Sequence, residues 1–190
     1  MLLQSNTFNI KEFRIPEFTL GKGEMIRFWV EIVPIPKDGT NGYWGVSRMK
    51  EVIKGIDDSI YLAPVKLKTS VFDFLKPITV RKYLEQKFGY SDDEIEKLIS
   101  RFGIKPYYQL QKLGCGHGKL FSILCEFQKR DIVVFDYYGL SLESEKQLTD
   151  FVKSEIQKGK SAISFDNLYY KPASTDSEKI INLDILRERN

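Results

Sequence analysis

Apolar positions along this chain recur with two periods, and the second half shows both most clearly. Ile132-Val133-Val134-Phe135 is an unbroken apolar run between charged residues, the pattern of a strand buried on both faces. Ser141 can cap the helix that follows, in which Leu148, Phe151, Val152 and Ile156 form one stripe and which Gly159 ends. Ser161 to Phe165 reads as the next strand. Strand, helix, strand at this spacing predicts a parallel βαβ unit. Leu120, Ile123, Leu124 and Phe127 predict a helix leading into the first of these strands.

The middle of the chain predicts a helical hairpin. Thr79 opens a helix with Val80, Tyr83 and Leu84 apolar, and Gly89 stops it. Ser91-Asp92-Asp93-Glu94 is a capping box for a second helix carrying Ile95, Leu98, Ile99 and Phe102, which Gly103 stops. In the first half, Phe8 to Leu20 and Met25 to Val33 read as strands, Pro34 to Gly45 as a Gly/Pro-rich loop, Ser47 to Gly55 as a helix with Met49, Val52 and Ile53 inward, and Ile60-Tyr61-Leu62 as a short strand. The tail Glu178 to Arg189 reads as an amphipathic helix through Ile180, Ile181, Leu183 and Leu186.

Composition bounds this picture. The 190 residues suit a single domain spanning 1–190, with a helical subdomain at about residues 76–112, and a full core is feasible at that size. Lys+Arg 29 against Asp+Glu 26 gives a net charge of +3. The charges are interspersed, so no nucleic-acid partner is evident. No run of 18 apolar residues exists, so direct membrane insertion is not expected. Cys115 and Cys125 are the only cysteines and the N-terminus lacks a signal-peptide pattern, which together point to the cytoplasm, with any membrane association made through a partner. His117 is the sole histidine and Cys115 and Cys125 are too few for a tetrathiolate site, so no zinc site of histidines or thiolates, and no metal site of that kind, is expected.

The segments between these elements resemble, in order, the motifs of an ATP-binding-cassette (ABC) ATPase, a P-loop NTPase. The predicted strand from Met25 precedes Gly39-Thr40-Asn41-Gly42-Tyr43-Trp44-Gly45-Val46-Ser47, which looks like the family's Gly-x-Asn-Gly-x-Gly-Lys-Ser phosphate loop. Leu113-Gly114-Cys115-Gly116-His117 stands where the family has its Leu-Ser-Gly-Gly-Gln signature. Asp136 matches the Walker B aspartate, Tyr137 the position of the catalytic glutamate, and Gly139-Leu140-Ser141 the D-loop. Asp166 and Asn167 stand where the family places its switch histidine. No single motif is intact, and their order carries the resemblance over roughly residues 8–170. It implies an α/β fold: a mainly parallel sheet flanked by helices, a small helical subdomain, and a reduced antiparallel β-subdomain, because the stretch from Gly45 to Leu62 is short for the family.

The departures fall on the chemistry. Val46 replaces the lysine that grips the β- and γ-phosphates, while Ser47 keeps the hydroxyl that would face magnesium. A hydrogen bond to a charged group contributes about 1.5–3 kcal/mol, so its loss costs roughly one to two decades of affinity. Trp44 either plugs a dead pocket, the reading favoured, or stacks on a ligand. Tyr137 in place of the glutamate is a poor base, with an ordinary pKa of about 10. An aspartate at position 166 would repel a γ-phosphate. Asp136 either binds magnesium or simply caps the turn after its strand, and the signature-like segment either keeps an anion site at a helix N-terminus or is a tight turn before a core helix.

On this resemblance the chain is expected to be catalytically inactive, to need no cofactor, and to act by binding another protein such as an ABC ATPase or a permease, with a homodimer as a further option. The alternative is an ATP-binding subunit, with ATP and magnesium, that contributes its signature half to a partner's site. A nucleic-acid or small-ligand module using Tyr43, Trp44 and Lys50 is a third reading.

Overall fold

Arg27 is the one charged side chain in Met25–Trp29, the first strand in chain order of a parallel sheet. The computed structural model describes residues 2–10, 13–29, 46–57, 59–67, 77–166 and 174–185; of residues 46–48, 184 and 185 it describes the backbone alone. The chain divides into two compact units. The first comprises Met1–Leu62, Arg130–Tyr138 and Val152–Asn190, the second Ala63–Lys129 and Gly139–Phe151.

The first unit is built on a four-stranded parallel sheet of β5 (Met25–Trp29), β6 (Ile132–Asp136), β7 (Ser161–Asp166) and β8 (Glu178–Asn182), in the order β6-β7-β5-β8. Strand β7 therefore lies between β6 and β5, with Ala162 registered against both Val133 and Met25. Strand β6 is covered on both faces, which is why Ile132–Phe135 reads as a continuous apolar run. Helix α1 (Val46–Ile56) packs Met49, Val52 and Ile53 into a core with Ile26, Phe28, Val134, Ile163 and Phe165. Phe28 stacks on Phe165 at 5.5 Å between ring centroids.

Two small antiparallel pairings complete this core. β1 (Leu3–Ser5) pairs with β4 (Phe18–Leu20), and β2 (Phe8–Ile10) with β3 (Phe13–Ile15). The single strand expected from Phe8 to Leu20 is thus broken into three. Pro16 sits at the break between β3 and β4, where its missing N–H cannot serve a ladder. The strand expected at Ile60–Leu62 reduces to one parallel bridge, Leu62 to Val134.

The largest correction concerns the tail. The helix expected from Glu178 is instead β8, parallel to β5, followed by β9 (Asp184–Ile185), antiparallel to β3; residues 186–190 lie outside the described residues. The spacing of Ile180, Ile181 and Leu183 fits a helical stripe, but β-branched isoleucines beside an open strand edge favour the ladder, and helix propensity is a weak prior against tertiary pairing.

The second unit is helical: α2 (Val80–Phe88), α3 (Asp92–Ile99) and α4 (Cys115–Lys129), together with the first turns of α5 (Leu142–Gln157), which enters the first unit at Val152. The expected punctuation is all present. Thr79 Oγ1 accepts the Lys82 N–H at 3.3 Å, and Gly89 closes α2 at φ +71°. The Glu94 carboxylate accepts both the N–H and the hydroxyl of Ser91 at 2.8 Å, which holds the Glu94 pKa below its ordinary value. Phe151 meets Phe102 and Phe127 edge-on, each at 5.4 Å. Ser91→Ala is expected to destabilise this unit by about 1 kcal/mol, read as a lower urea midpoint with unchanged slope.

Candidate functional site

The residues that the sequence nominates divide by what the structure does with them. Gly39, Asn41, Gly42 and Gly45, with Tyr43 and Trp44, lie outside the described residues, as does Asn167. Val46 and Ser47 open helix α1. This leaves the strand ends, Asp136, Tyr137 and Asp166, and the segment from Leu113 to His117.

Asp136 ends β6 and is 4 % exposed. Its Oδ1 accepts the Tyr138 N–H at 2.9 Å, so it caps the turn that Gly139 completes at φ +78°, a conformation glycine adopts without strain. Both readings of Asp136 offered by the sequence require a carboxylate at a strand end, and this bond is the turn-capping one.

The structure assigns Tyr137 and Asp166 to a cluster that no motif announces. Arg27 is 5 % exposed in the centre of β5. On the sheet face away from α1, its Nε donates to Asp166 Oδ2 and its Nη1 to Glu178 Oε1, both at 2.5 Å. Its guanidinium carbon lies 5.3 Å from the centroid of the Tyr137 ring, a cation–π distance. Tyr137 is 3 % exposed and also meets Phe135 edge-on at 5.4 Å. The Ser164 hydroxyl donates to Asp166 Oδ1 at 3.4 Å. Asp166 was expected to present its charge to a phosphate; the structure turns that charge inward, fully buried against Arg27.

Electrostatics within the cluster follow from burial. Desolvation pushes the Asp166 carboxyl up to about 6, with Glu178 adding to the rise and Arg27 opposing it. Burial also works against the Arg27 charge, but its carboxylate partners outweigh that and hold the guanidinium above its ordinary pKa. Sequence reasoning missed Arg27 and Glu178. A signal existed: an arginine flanked by Ile26 and Phe28 in a strand covered on both faces needs buried acids within reach.

The signature-like segment forms the start of α4. Leu113 is buried, whereas Gly114, Cys115 and His117 are exposed. The Gly118 N–H donates to Gly114 O at 2.7 Å, closing the first turn. A side chain added at Gly114 would meet nothing within 4 Å, and one at Gly116 only the Ser144 hydroxyl at 3.8 Å. Crowding therefore does not demand these glycines, and the helix N-terminus, with its partial positive charge, faces solvent. Among the described residues no helix is long and apolar enough to cross a membrane.

No family model and no curated protein matches the sequence. Solved structures do match the fold. An ABC transporter ATP-binding protein from Pyrococcus furiosus superposes with a TM-score of 0.56 at 15 % identity, over 95 % of this chain and 94 % of that one. An inward-facing metal-chelate type ABC transporter gives 0.56 at 13 % identity, over 97 % and 79 %. An ATP-binding subunit of an ABC transporter gives 0.50 at 14 % identity, over 87 % and 78 %. The fold is that of ABC-transporter ATP-binding domains, as the order of the motifs implied.

Proposed function

We propose that this chain is a non-catalytic relative of ABC ATPases that acts by binding another protein, an ABC ATPase or a permease within a larger complex. One observation carries the reading: Arg27 engages the residues at two positions that the resemblance assigns to hydrolysis. Asp166 is its ion-pair partner and Tyr137 lies over its guanidinium. Hydrolysis of ATP requires a group that orients the attacking water, and a tyrosine packed on a buried cation does not supply a carboxylate for it. Asp136, the residue that would meet magnesium, holds a backbone N–H. Val46 in place of the phosphate-gripping lysine supports the same reading.

Two of the three matched structures are described as ATP-binding, and one observation favours a second reading in which this chain contributes to a partner's ATP site. The N-terminus of α4 is open to solvent at Gly114, Cys115 and His117, where a partner's phosphate could be met by backbone N–H groups.

Differential scanning with magnesium and a non-hydrolysable ATP analogue at millimolar concentration tests the first reading. Saturation at a hundred times Kd would stabilise the chain by about 2.7 kcal/mol, or roughly 5–10 °C at this length. We expect a shift below about 1 °C, as for a chain that does not bind the analogue. A shift of several degrees would overturn the non-nucleotide reading in favour of the second.

A further inference from the structure

The cluster around Arg27 holds one cation against two anions. Asp166 is 0 % exposed, Glu178 6 % and Arg27 5 %. The groups facing Asp166 are Arg27 from β5, Glu178 from β8 and Ser164 from its own strand, and the Tyr137 ring beyond β6 covers the guanidinium. Among the described residues, Arg27 is the one cation facing the two acids. Asp136, the carboxylate that ends β6, is registered against Phe165 and accepts the Tyr138 N–H. With both acids ionised, the described members of the cluster carry one buried negative charge in excess, which a low-dielectric interior penalises.

Two events relieve that excess: Asp166 takes a proton, or Glu178 leaves for water. The members differ in freedom. Asp166 ends β7, which is hydrogen-bonded to β6 on one side and β5 on the other. Glu178 is the first residue of β8, which ends the four-strand order, and it directly follows a turn in which Thr175 and Glu178 exchange backbone hydrogen bonds. Glu178 is therefore the group that can be released with the least disruption.

We propose that Asp166, Arg27 and Glu178 form a proton-operated latch on the C-terminal strand: with Asp166 protonated the guanidinium belongs to Glu178 and β8 is seated, and with Asp166 ionised the two acids compete and the start of β8 loosens. Desolvation places the Asp166 transition at about 6, within the range that cells traverse. The sign follows directly. A carboxyl raised in the folded state favours folding below its transition, and that contribution is lost as pH rises from about 4 through about 6. Loosening is transmitted along the tail, because the Leu183 N–H donates to Trp29 O at 3.1 Å and β9 pairs with β3. The latch is independent of whether the chain binds nucleotide.

Native-state amide exchange, corrected for the intrinsic rate at each pH, tests this on the unmodified protein and on Asp166→Asn. Between about pH 5 and pH 7.5 the opening equilibrium of the Lys179–Asn182 amides is expected to rise by up to about tenfold while that of β6 stays level. In Asp166→Asn the dependence should vanish. Equal dependence in Asp166→Asn, or none in the unmodified chain, would overturn the latch. Should Asp166→Asn not fold, carbon-13 titration of the Asp166 carboxyl in the unmodified chain decides: a midpoint near 6 sustains the proposal, and one near the ordinary value of about 4 overturns it.

Discussion

Arg27→Met is expected to lower the stability of the protein by about 3–5 kcal/mol at neutral pH, because it strands two buried carboxylates without a cation. At this length that corresponds to a fall in Tm of roughly 6–20 °C. The loss should shrink toward pH 5, where Asp166 can be neutralised by a proton in place of the guanidinium. A companion triple variant, Arg27→Met/Asp166→Asn/Glu178→Gln, removes every charge of the cluster together and should recover most of the loss, since replacing a whole buried ion pair costs far less than breaking one. Denaturant unfolding at the two pH values measures both. A loss below about 1 kcal/mol for Arg27→Met, the size expected of an exposed pair, would show that Arg27 is not the centre of the cluster.

The latch and this stability prediction rest on the same three side chains, and they show where the sequence was readable. Helix punctuation was legible because it is local: Thr79, Gly89, Ser91 and Gly159 act on neighbours within a few residues, and each stands where its helix begins or ends. Strand β6 was legible because burial on both faces makes Ile132–Phe135 apolar throughout, and β7, which carries Ser161, Ser164 and Asp166, because it follows the helix stop at Gly159 at βαβ spacing. Position along the chain then allowed the motif order to be read, and the fold follows it. The tail was misread because its isoleucines satisfy a helical stripe as well as a strand, and only the neighbouring β5 decides between them. The cluster was missed for a related reason. Arg27 and Asp166 are 139 residues apart, and Arg27 and Glu178 are 151 apart, so their pairing is a property of the sheet order alone. Asp166 was singled out for its position opposite a phosphate, and the same position at the end of β7 is what brings it to Arg27.

Restoring the family's hydrolytic residues in this chain is expected to fail, and the reason is again Arg27. Val46→Lys supplies an ammonium group but no base. Tyr137→Glu places a carboxylate where the ring now lies, 5.3 Å from the guanidinium carbon, so the new acid pairs with that buried cation and is not free to orient water. Asp166→His removes the charge-assisted bond from Arg27 Nε, a loss of about 1.5–3 kcal/mol, and forces a larger ring into a fully buried position. The combined variant Val46→Lys/Tyr137→Glu/Asp166→His is therefore expected to unfold at a lower temperature than the unmodified chain. Its phosphate release should stay at least about a hundredfold below the ~1–10³ s⁻¹ of ordinary enzymes. Steady turnover near 1 s⁻¹ would mean that positions 137 and 166 are free to do chemistry with Arg27 in place, and the proposal that the cluster excludes catalysis would then fall.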